Sequence, residues 1–129
     1  MVRMFLNGGA MRGGPLHHLL KGAPLLGSVR SAPRYRFYSV RDEFPGMRLA
    51  ADGATGHHVE GELYELSEEV LRDSLLPAEP PELELGVIEL EDGGASFAMV
   101  LRPGVERAPG VVDISGTGGW RDHLARRAR

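Results

Sequence analysis

The sequence contains no cysteine and only one tryptophan in 129 residues. The absence of cysteine excludes a thiol nucleophile, a disulfide and a thiolate metal site, and it fits a reducing compartment. No GxSxG elbow is present to carry a nucleophilic serine, so attention turns to carboxylates. There is also no apolar run of membrane length and no signal peptide, which predicts a cytoplasmic protein without a membrane partner.

The chain also lacks a strong charge of one sign. Lysine and arginine number 15 against 18 acidic residues, for a formal net charge of −3. The one dense basic run, residues 126–129, is a short terminal tail, so no nucleic-acid partner is predicted. The composition, with 42% hydrophobic and 26% charged residues, is typical of a globular protein, and the length predicts a single domain over residues 1–129.

The chain is organised around a glycine-rich stretch near its start. The apolar residues 4–6 precede the glycine loop, residues 7–14, and residues 15–20 follow it. This pattern predicts a strand, a loop and a helix of about two turns that begins at Pro15. A loop of this kind leaves backbone N–H groups free to bind an anion or an oxyanion. Its spacing matches neither GxGxxG nor the phosphate loop GxxxxGKS/T, so a tight structural turn is the alternative interpretation.

The rest of the chain predicts six further strands and two helices without regular strand–helix alternation. The strands are predicted at 25–31, 34–40, 59–66, 85–90, 96–101 and 111–114, and the helices at 67–76, capped by Ser67 and stopped by Pro77, and at 120–127. A turn at 41–47, a hairpin tip at Asp52-Gly53 and a bulge near Gly61 complete the pattern. This order predicts an α+β domain with a mixed or closed sheet.

Glu79 is the acid that stands out. Prolines fix the backbone on both sides of it, directly after the end of the predicted helix. A side chain held in this way can face a cavity, and burial can tune its pKa for proton transfer. Glu82 is the competing acid, and a solvated turn stiffened by prolines is the structural alternative.

His17 and His18 follow the glycine loop directly. Adjacent residues on a helix point in different directions, so a metal site built on this pair is not predicted, and no other cofactor is predicted. One of the two histidines is a polar contact to a ligand or a proton carrier, and the alternative is a structural or exposed histidine. Trp120, which follows a glycine pair, is predicted to close one end of the core.

Two parts of the sequence resemble the gamma-glutamylcyclotransferase-like superfamily. The glycine loop with its following Pro-x-His segment is similar to the first loop of that superfamily, and residues 59–66 with the capped helix are similar to its second hallmark. Asn7 stands where the superfamily has a loop tyrosine, and Ala10 and Met11 replace its Ser/Thr-Leu pair. The loop can therefore offer only backbone donors and the amide of Asn7.

The chain resembles the C-terminal domain of allophanate hydrolase more closely, here as a free-standing chain. The resembling segments are residues 32–38, 44–47, 85–93 and 113–121, and the Gly-Gly-Trp-Arg stretch at 118–121 is the most specific of them. The resemblance implies a small mixed β-barrel or sheet with short flanking helices. It also implies chemistry on a small polar amide, by a transferase or a lyase. The substrate is either a gamma-glutamyl compound or a carbamoyl or N-carboxy compound such as N-carboxycarbamate or allophanate.

In cyclotransferases of this fold, a glutamate after the helix moves a proton between the substrate amine and the leaving nitrogen, and Glu79 falls in the corresponding region. The backbone of the loop is expected to bind a carboxylate or oxyanion, and His17 or Tyr35 to orient the substrate. The predicted substrate-binding residues are Asn7, Gly8, Gly9, Ala10, Met11, His17, Tyr35, Pro45 and Gly46.

The alternative is a non-catalytic domain that binds a metabolite or holds an amidase partner. A small molecule is the expected ligand in either case. A homodimer or an amidase is the expected protein partner.

Overall fold

The computed structural model describes residues 1–128 of the chain. Eight strands are present: β1 Val2–Leu6, β2 Leu25–Arg30, β3 Tyr35–Val40, β4 Phe44–Leu49, β5 Glu60–Leu66, β6 Leu83–Glu89, β7 Ala95–Leu101 and β8 Val111–Asp113. The helices are α1 Glu68–Val70, which continues as a π turn Leu71–Leu75 and a 3-10 turn Leu76–Ala78, and α2 Trp120–Arg127. Shorter 3-10 turns lie at His17–Leu20 and Val105–Arg107. No helix of the described residues is long and apolar enough to cross a membrane.

All eight strands belong to one mixed sheet that curls into a half-barrel. Its order is β2-β5-β1-β7-β4-β3-β8, and β6 pairs with β7. Because β6 lies along the whole of one edge of β7, β1 and β4 must share the other edge. Both strands run parallel to β7 and pair with successive parts of it. In β1, Phe5 lies opposite Ala98, and in β4, Met47 lies opposite Val100. The sheet therefore splits where β1 ends and β4 takes its place.

The core lies inside this curl, with β5 as its best covered strand. Residues 61–64 of β5 are all buried, and Tyr64 is only 1% exposed. Leu71 and Leu75 pack into the core from the helical segment after β5, and Trp120 from the start of α2. Coverage of β5 on both faces explains why its apolar residues do not alternate regularly.

Several predicted elements are confirmed. Ser67 caps α1 by accepting a hydrogen bond from the N–H of Val70 at 3.1 Å. The strands predicted at 85–90 and 96–101 are present as β6 and β7, which pair with each other in a hairpin. The strand predicted at 34–40 is present as β3, on which the alternate residues Tyr35, Phe37 and Ser39 are buried. Trp120 is also buried, as predicted. Each of these elements is predicted from residues that are close together in the sequence, and the packing of the sheet does not change them.

The predicted turn at 41–47 is wrong in its second half. Residues from Phe44 onward belong to β4, and the chain reverses at Arg41 and Asp42, whose φ angles are 53° and 58°. The Pro-Gly pair favours a turn, but Pro45 is the second residue of β4. At this position β4 is not paired with β7, because the pairing of these two strands lies at Met47. Proline is tolerated at such a position.

Four smaller predictions are also corrected. The bulge lies in β2 between Leu25 and Gly27 instead of at Gly61, where a Cβ would lie 2.4 Å from the carbonyl oxygen of Leu6. Gly53 does form a turn, but its flanking strands β4 and β5 are not paired, so it is not a hairpin tip. The helix predicted at Pro15 is reduced to one 3-10 turn, and the helix before Pro77 continues through Ala78.

Candidate functional site

A small cavity of about 90 Å³ opens where the sheet splits. The first half of the glycine loop forms one wall, the start of β4 forms the second, and the segment after the helical turns forms the third. The lining includes Asn7, Gly8, Gly9, Ala10, Glu43, Phe44, Pro45, Glu79, Pro80 and Met99. Residues that are distant in sequence meet here because β1 and β4 compete for the same edge of β7.

Three residues of the glycine loop that line this cavity have backbone N–H groups without a protein acceptor among the described residues. The N–H of Met11 donates to the carbonyl of Gly8 at 3.1 Å and closes a tight turn. Within residues 1–128, the N–H groups of Gly8, Gly9 and Ala10 donate to no protein acceptor. Three successive unpaired N–H groups beside a cavity are a donor set of the kind that can bind a carboxylate or a developing oxyanion.

Two glycines of the loop are required by close packing. A Cβ on Gly8 would lie 2.8 Å from Cδ of Pro45, and one on Gly14 would lie 2.2 Å from the carbonyl oxygen of Gly9. Neither neighbour can retreat easily, because one belongs to a strand and the other to the loop backbone. The loop therefore lies directly against β4, and this contact sets the width of the cavity.

Glu79 lines the same cavity as the glycine loop, and Glu43 is the second acid of the lining. Its N–H closes the 3-10 turn by donating to the carbonyl of Leu76 at 3.1 Å. Its half-buried carboxylate has no hydrogen-bond or ion-pair partner among residues 1–128. Burial raises the pKa of this carboxyl from an ordinary value of 4.5 to about 7. Near neutral pH the group is thus present in both protonation states and can give or take a proton.

Glu82, the competing acid, lies outside this lining. One of its oxygens accepts a hydrogen bond from Arg41 at 2.9 Å, and this bond lowers the pKa of Glu82. Arg41 also pairs with Glu43, which lines the cavity at its exposed edge. No lysine, arginine or histidine belongs to the lining among the described residues.

The other predicted site residues lie around the cavity or away from it. Asn7 is buried, and its amide nitrogen lies 3.2 Å from the sulfur of Met47. His17 stands behind the loop, where its Nδ1 lies 3.0 Å from the carbonyl oxygen of Ala10. Tyr35 lies in a different cleft, and its hydroxyl accepts a hydrogen bond from the N–H of Glu89 at 2.8 Å.

The structure therefore brings together six of the ten predicted site residues. Asn7, Gly8, Gly9, Ala10, Pro45 and Glu79 line the cavity, whereas Met11, His17, Tyr35 and Gly46 do not. Gly46 instead packs closely under β7, since a Cβ there would lie 2.7 Å from Cδ1 of Leu101. Met11 turns toward a neighbouring cleft on the other side of the loop.

Sequence reasoning missed a buried carboxylate behind the loop. Glu62 on β5 is 1% exposed and accepts hydrogen bonds from the backbone N–H of Arg12 at 2.8 Å, Nε of Arg12 at 2.9 Å and the hydroxyl of Tyr64 at 2.9 Å. Arg121 of α2 lies 3.2 Å from the same carboxylate. Burial alone would raise the pKa of Glu62, but these hydrogen bonds outweigh it and lower the pKa to about 2. A glutamate inside a strand that is otherwise buried was the one signal that could have found it.

The neighbouring cleft is larger, about 360 Å³, and lies between the start of α2, β2 and β5. Its rim carries Arg30, Glu60, Arg121 and Asp122, and Met11 forms part of its floor. The cavity that holds the free N–H groups and the acid with the raised pKa is thus not the largest one. Within residues 1–128, no group of three or more histidine, aspartate or glutamate side chains is arranged to hold a metal ion.

Comparison with known proteins gives a consistent result. A family model described as the allophanate hydrolase C-terminal domain matches residues 2–125. The urea amidolyase of Saccharomyces cerevisiae is 26% identical over 129 residues that cover 95% of this chain. The chain spans only 7% of the length of that curated relative.

Solved structures include both a short relative and a long one. A uropathogenic Escherichia coli-specific protein is 28% identical with a TM-score of 0.86, and the match covers 96% of this chain and 95% of that one. Kluyveromyces lactis allophanate hydrolase is 26% identical with a TM-score of 0.89, and the match covers 98% of this chain and 21% of that one. An AIG2-like protein from Mus musculus, 23% identical with a TM-score of 0.56 over 84% of this chain and 80% of that one, shares the gamma-glutamylcyclotransferase-like fold.

Proposed function

The chain belongs to the allophanate hydrolase C-terminal domain family, and from this membership we propose that it is an enzyme acting on a small N-carboxy or carbamoyl compound. Backbone N–H groups of Gly8, Gly9 and Ala10 bind a carboxylate of the substrate, and Glu79 exchanges a proton with its nitrogen. The observation that carries the proposal is that these donors and an acid with a pKa of about 7 line one cavity.

The size of the cavity favours the smaller of the two substrate classes. Pockets for drug-sized ligands measure roughly 300–1,000 Å³, and this cavity measures about 90 Å³. An N-carboxy compound has few non-hydrogen atoms and carries the carboxylates that unpaired N–H groups bind. The names of the two fused relatives, urea amidolyase and allophanate hydrolase, also point to small carbonyl–nitrogen compounds. A gamma-glutamyl amide is the alternative substrate for the same residues.

The chemical step needs one proton. In N-carboxycarbamate, cleavage of one C–N bond releases carbon dioxide and leaves the bonding electron pair on the nitrogen. Glu79 in its neutral form gives its proton to that nitrogen, and carbamate remains. The carboxylate of Glu79 then regains a proton from water. With a gamma-glutamyl amide, the ionised form of Glu79 would take the proton of the attacking amine and pass it to the leaving nitrogen.

The proposal is tested with ¹³C-labelled allophanate and an amidase that lacks this domain, so that N-carboxycarbamate forms in the sample. We expect the protein to accelerate its decay to carbamate and carbon dioxide, and Glu79→Gln to lose about 10²-fold or more of that acceleration. Glu82→Gln is the matched control, because Glu82 lies outside the cavity lining. Gamma-glutamyl amides are assayed in parallel. Full activity of Glu79→Gln on both substrate classes would refute the assignment of the acid.

The alternative is a non-catalytic domain that serves an amidase, and one observation is consistent with it. The region matching this chain is 21% of Kluyveromyces lactis allophanate hydrolase, so in that relative the domain is part of a larger enzyme. This alternative predicts thermal stabilisation by the metabolite without product formation, and co-migration with an amidase in sedimentation experiments. A homodimer and a cytoplasmic location stay predictions, and the same sedimentation runs test the former.

A further inference from the structure

The glycine loop is anchored from behind by Glu62. Its carboxylate binds both the backbone N–H and the guanidinium of Arg12, the residue that follows Met11 at the end of the donor turn. Because Glu62 is buried in β5, a strand paired on both edges, it is a fixed point to which the loop is attached. The position of residues 8–10 at the cavity therefore depends on this anchor.

A second anchor comes from the far end of the chain. Nη2 of Arg121, in the first turn of α2, donates to the carbonyl of Arg12 at 2.7 Å and to Glu62 at 3.2 Å. The backbone of Arg12 is thereby held at both its N–H and its carbonyl. This geometry makes the C-terminal helix part of the support of the loop.

The same three side chains carry a net positive charge, because two guanidinium groups surround one carboxylate. The cavity itself is lined by Glu43 and Glu79 as its only charged residues among those described. An anionic ligand therefore meets no cation among the described residues of the lining itself. On the loop side, the Arg12–Glu62–Arg121 cluster places positive charge next to the loop that carries the backbone donors. Both arginine side chains are about half exposed, so solvent weakens but does not remove this effect.

We propose that Glu62, together with Arg12 and Arg121, is the positioning unit of the glycine loop: it holds residues 8–10 in the geometry that binds an anion and makes the cavity selective for carboxylate ligands. The inference rests on the proposed function only in taking a carboxylate compound as the ligand. Glu62 touches the loop and not the cavity, so it acts through the position of the backbone donors.

The test uses malonate, a stable dicarboxylate in which carbon replaces the nitrogen of N-carboxycarbamate. The amide signals of Gly8, Gly9 and Ala10 are followed by NMR in the free protein and during a malonate titration. Glu62→Gln keeps the shape of the side chain and removes its charge, Arg121→Gln removes the second anchor, and Arg121→Lys restores its charge. Arg30→Gln is the matched control, since Arg30 lies on the same cleft as Arg121 but pairs with Glu91.

We expect Glu62→Gln to shift all three amide signals and to raise the malonate Kd about tenfold. Arg121→Gln should give a smaller change in the same direction, Arg121→Lys should recover part of it, and Arg30→Gln should match the wild type. If Glu62→Gln does not fold, the Arg121 variants test the proposal in its place. The side chain of Arg121 is 54% exposed, so its replacement should leave the fold intact. A purely structural role would lower the melting temperature and leave the Kd and the three signals of the folded protein unchanged, which would overturn the proposal.

Failure of the two proposals can be told apart. If the wild type binds no malonate, the ligand class given under the proposed function is wrong. The positioning role is then decided by the free protein, in which the amide exchange of Met11 and Arg12, whose N–H groups are hydrogen-bonded, should become faster in Arg121→Gln than in Arg30→Gln. Equal exchange in these two variants would overturn the positioning role.

Discussion

Two glutamates near the glycine loop show how neighbours decide the ionisation of a buried acid. Glu62 is the more deeply buried, yet four donors hold its pKa down at about 2. Glu79 has no partner among residues 1–128, and burial raises its pKa to about 7. The first carboxylate is therefore permanently charged and suited to holding a structure in place. The second can change its protonation state near neutral pH and is suited to chemistry.

The raised pKa of Glu79 predicts a pH-dependent stability. Between the ordinary pKa of 4.5 and about 7, the folded protein binds more protons at this site than the unfolded chain does. The contribution of Glu79 to stability is thus fully present at low pH and falls as the pH rises through this range. Relative to wild type, Glu79→Gln should be more stable at pH 8 by up to about 3 kcal/mol, and this gain should shrink toward pH 5.

Urea denaturation of both proteins at pH 5 and pH 8 measures this difference. Glu82→Gln serves as the control, because the pKa of Glu82 is lowered by its hydrogen bond to Arg41 and the sign of its contribution is opposite. If the free energy of unfolding of Glu79→Gln exceeded that of wild type by the same amount at both pH values, the raised pKa of Glu79 would be contradicted.

At the scale of elements, the site depends on how the ends of strands and turns meet. The helical segment does not end at Pro77, as its sequence suggests, but continues as a 3-10 turn that contains this proline. The extra turn carries Glu79 to the cavity. On the opposite wall, Pro45 lies in β4 and touches Gly8 of the loop.

The contact between Gly8 and Pro45 predicts that position 8 of the loop tolerates no side chain. In Gly8→Ala the new Cβ would lie 2.8 Å from Cδ of Pro45, so the loop or β4 must shift. We expect a loss of about 1–3 kcal/mol in the free energy of unfolding, together with weaker malonate binding. Gly27→Ala on β2 is the control, because a Cβ there meets nothing within 4 Å. Denaturation and NMR titration measure both quantities, and equal behaviour of the two variants would show that Gly8 does not set the width of the cavity.

At the scale of the whole molecule, α2 ties distant parts together. Trp120 at its start is buried in the core and stacks on His123, with the ring centroids 5.4 Å apart. Farther along, His123 and Arg127 both pair with Asp42, in the turn between β3 and β4. The helix thus links the glycine loop to the opposite end of the sheet.

This arrangement predicts that α2 unfolds together with the sheet. Because Trp120 is the only tryptophan, its fluorescence reports on the docking of the helix alone, while circular dichroism reports mainly on the strands. The two unfolding curves should coincide. Trp120→Ala should cost about 3–5 kcal/mol, whereas Leu124→Ala, at a residue 37% exposed, should cost much less. Separate transitions for fluorescence and circular dichroism would show that the helix docks independently.

Local features of this protein are determined by its sequence. The absence of cysteine limits the available chemistry, Ser67 begins a helix, the Asp92-Gly93 turn connects β6 and β7, and the glycine loop is the stretch from which an anion site is predicted. Glu79 could be singled out because prolines on both sides fix its backbone. Each of these features depends on residues within a few positions of one another, and such patterns can be interpreted without knowing the fold.

The tertiary structure alone decided how these parts meet. The split of the sheet arises because β1 and β4 share one edge of β7, a choice that no local pattern encodes. The anchor of the loop joins Glu62 to Arg12 across 50 positions and to Arg121 across 59. Local periodicity contains no information on contacts of that separation, because they form only when the sheet has curled. The sequence therefore predicts a ligand site at the glycine loop, whereas the packing of the sheet and α2 sets the geometry of that loop.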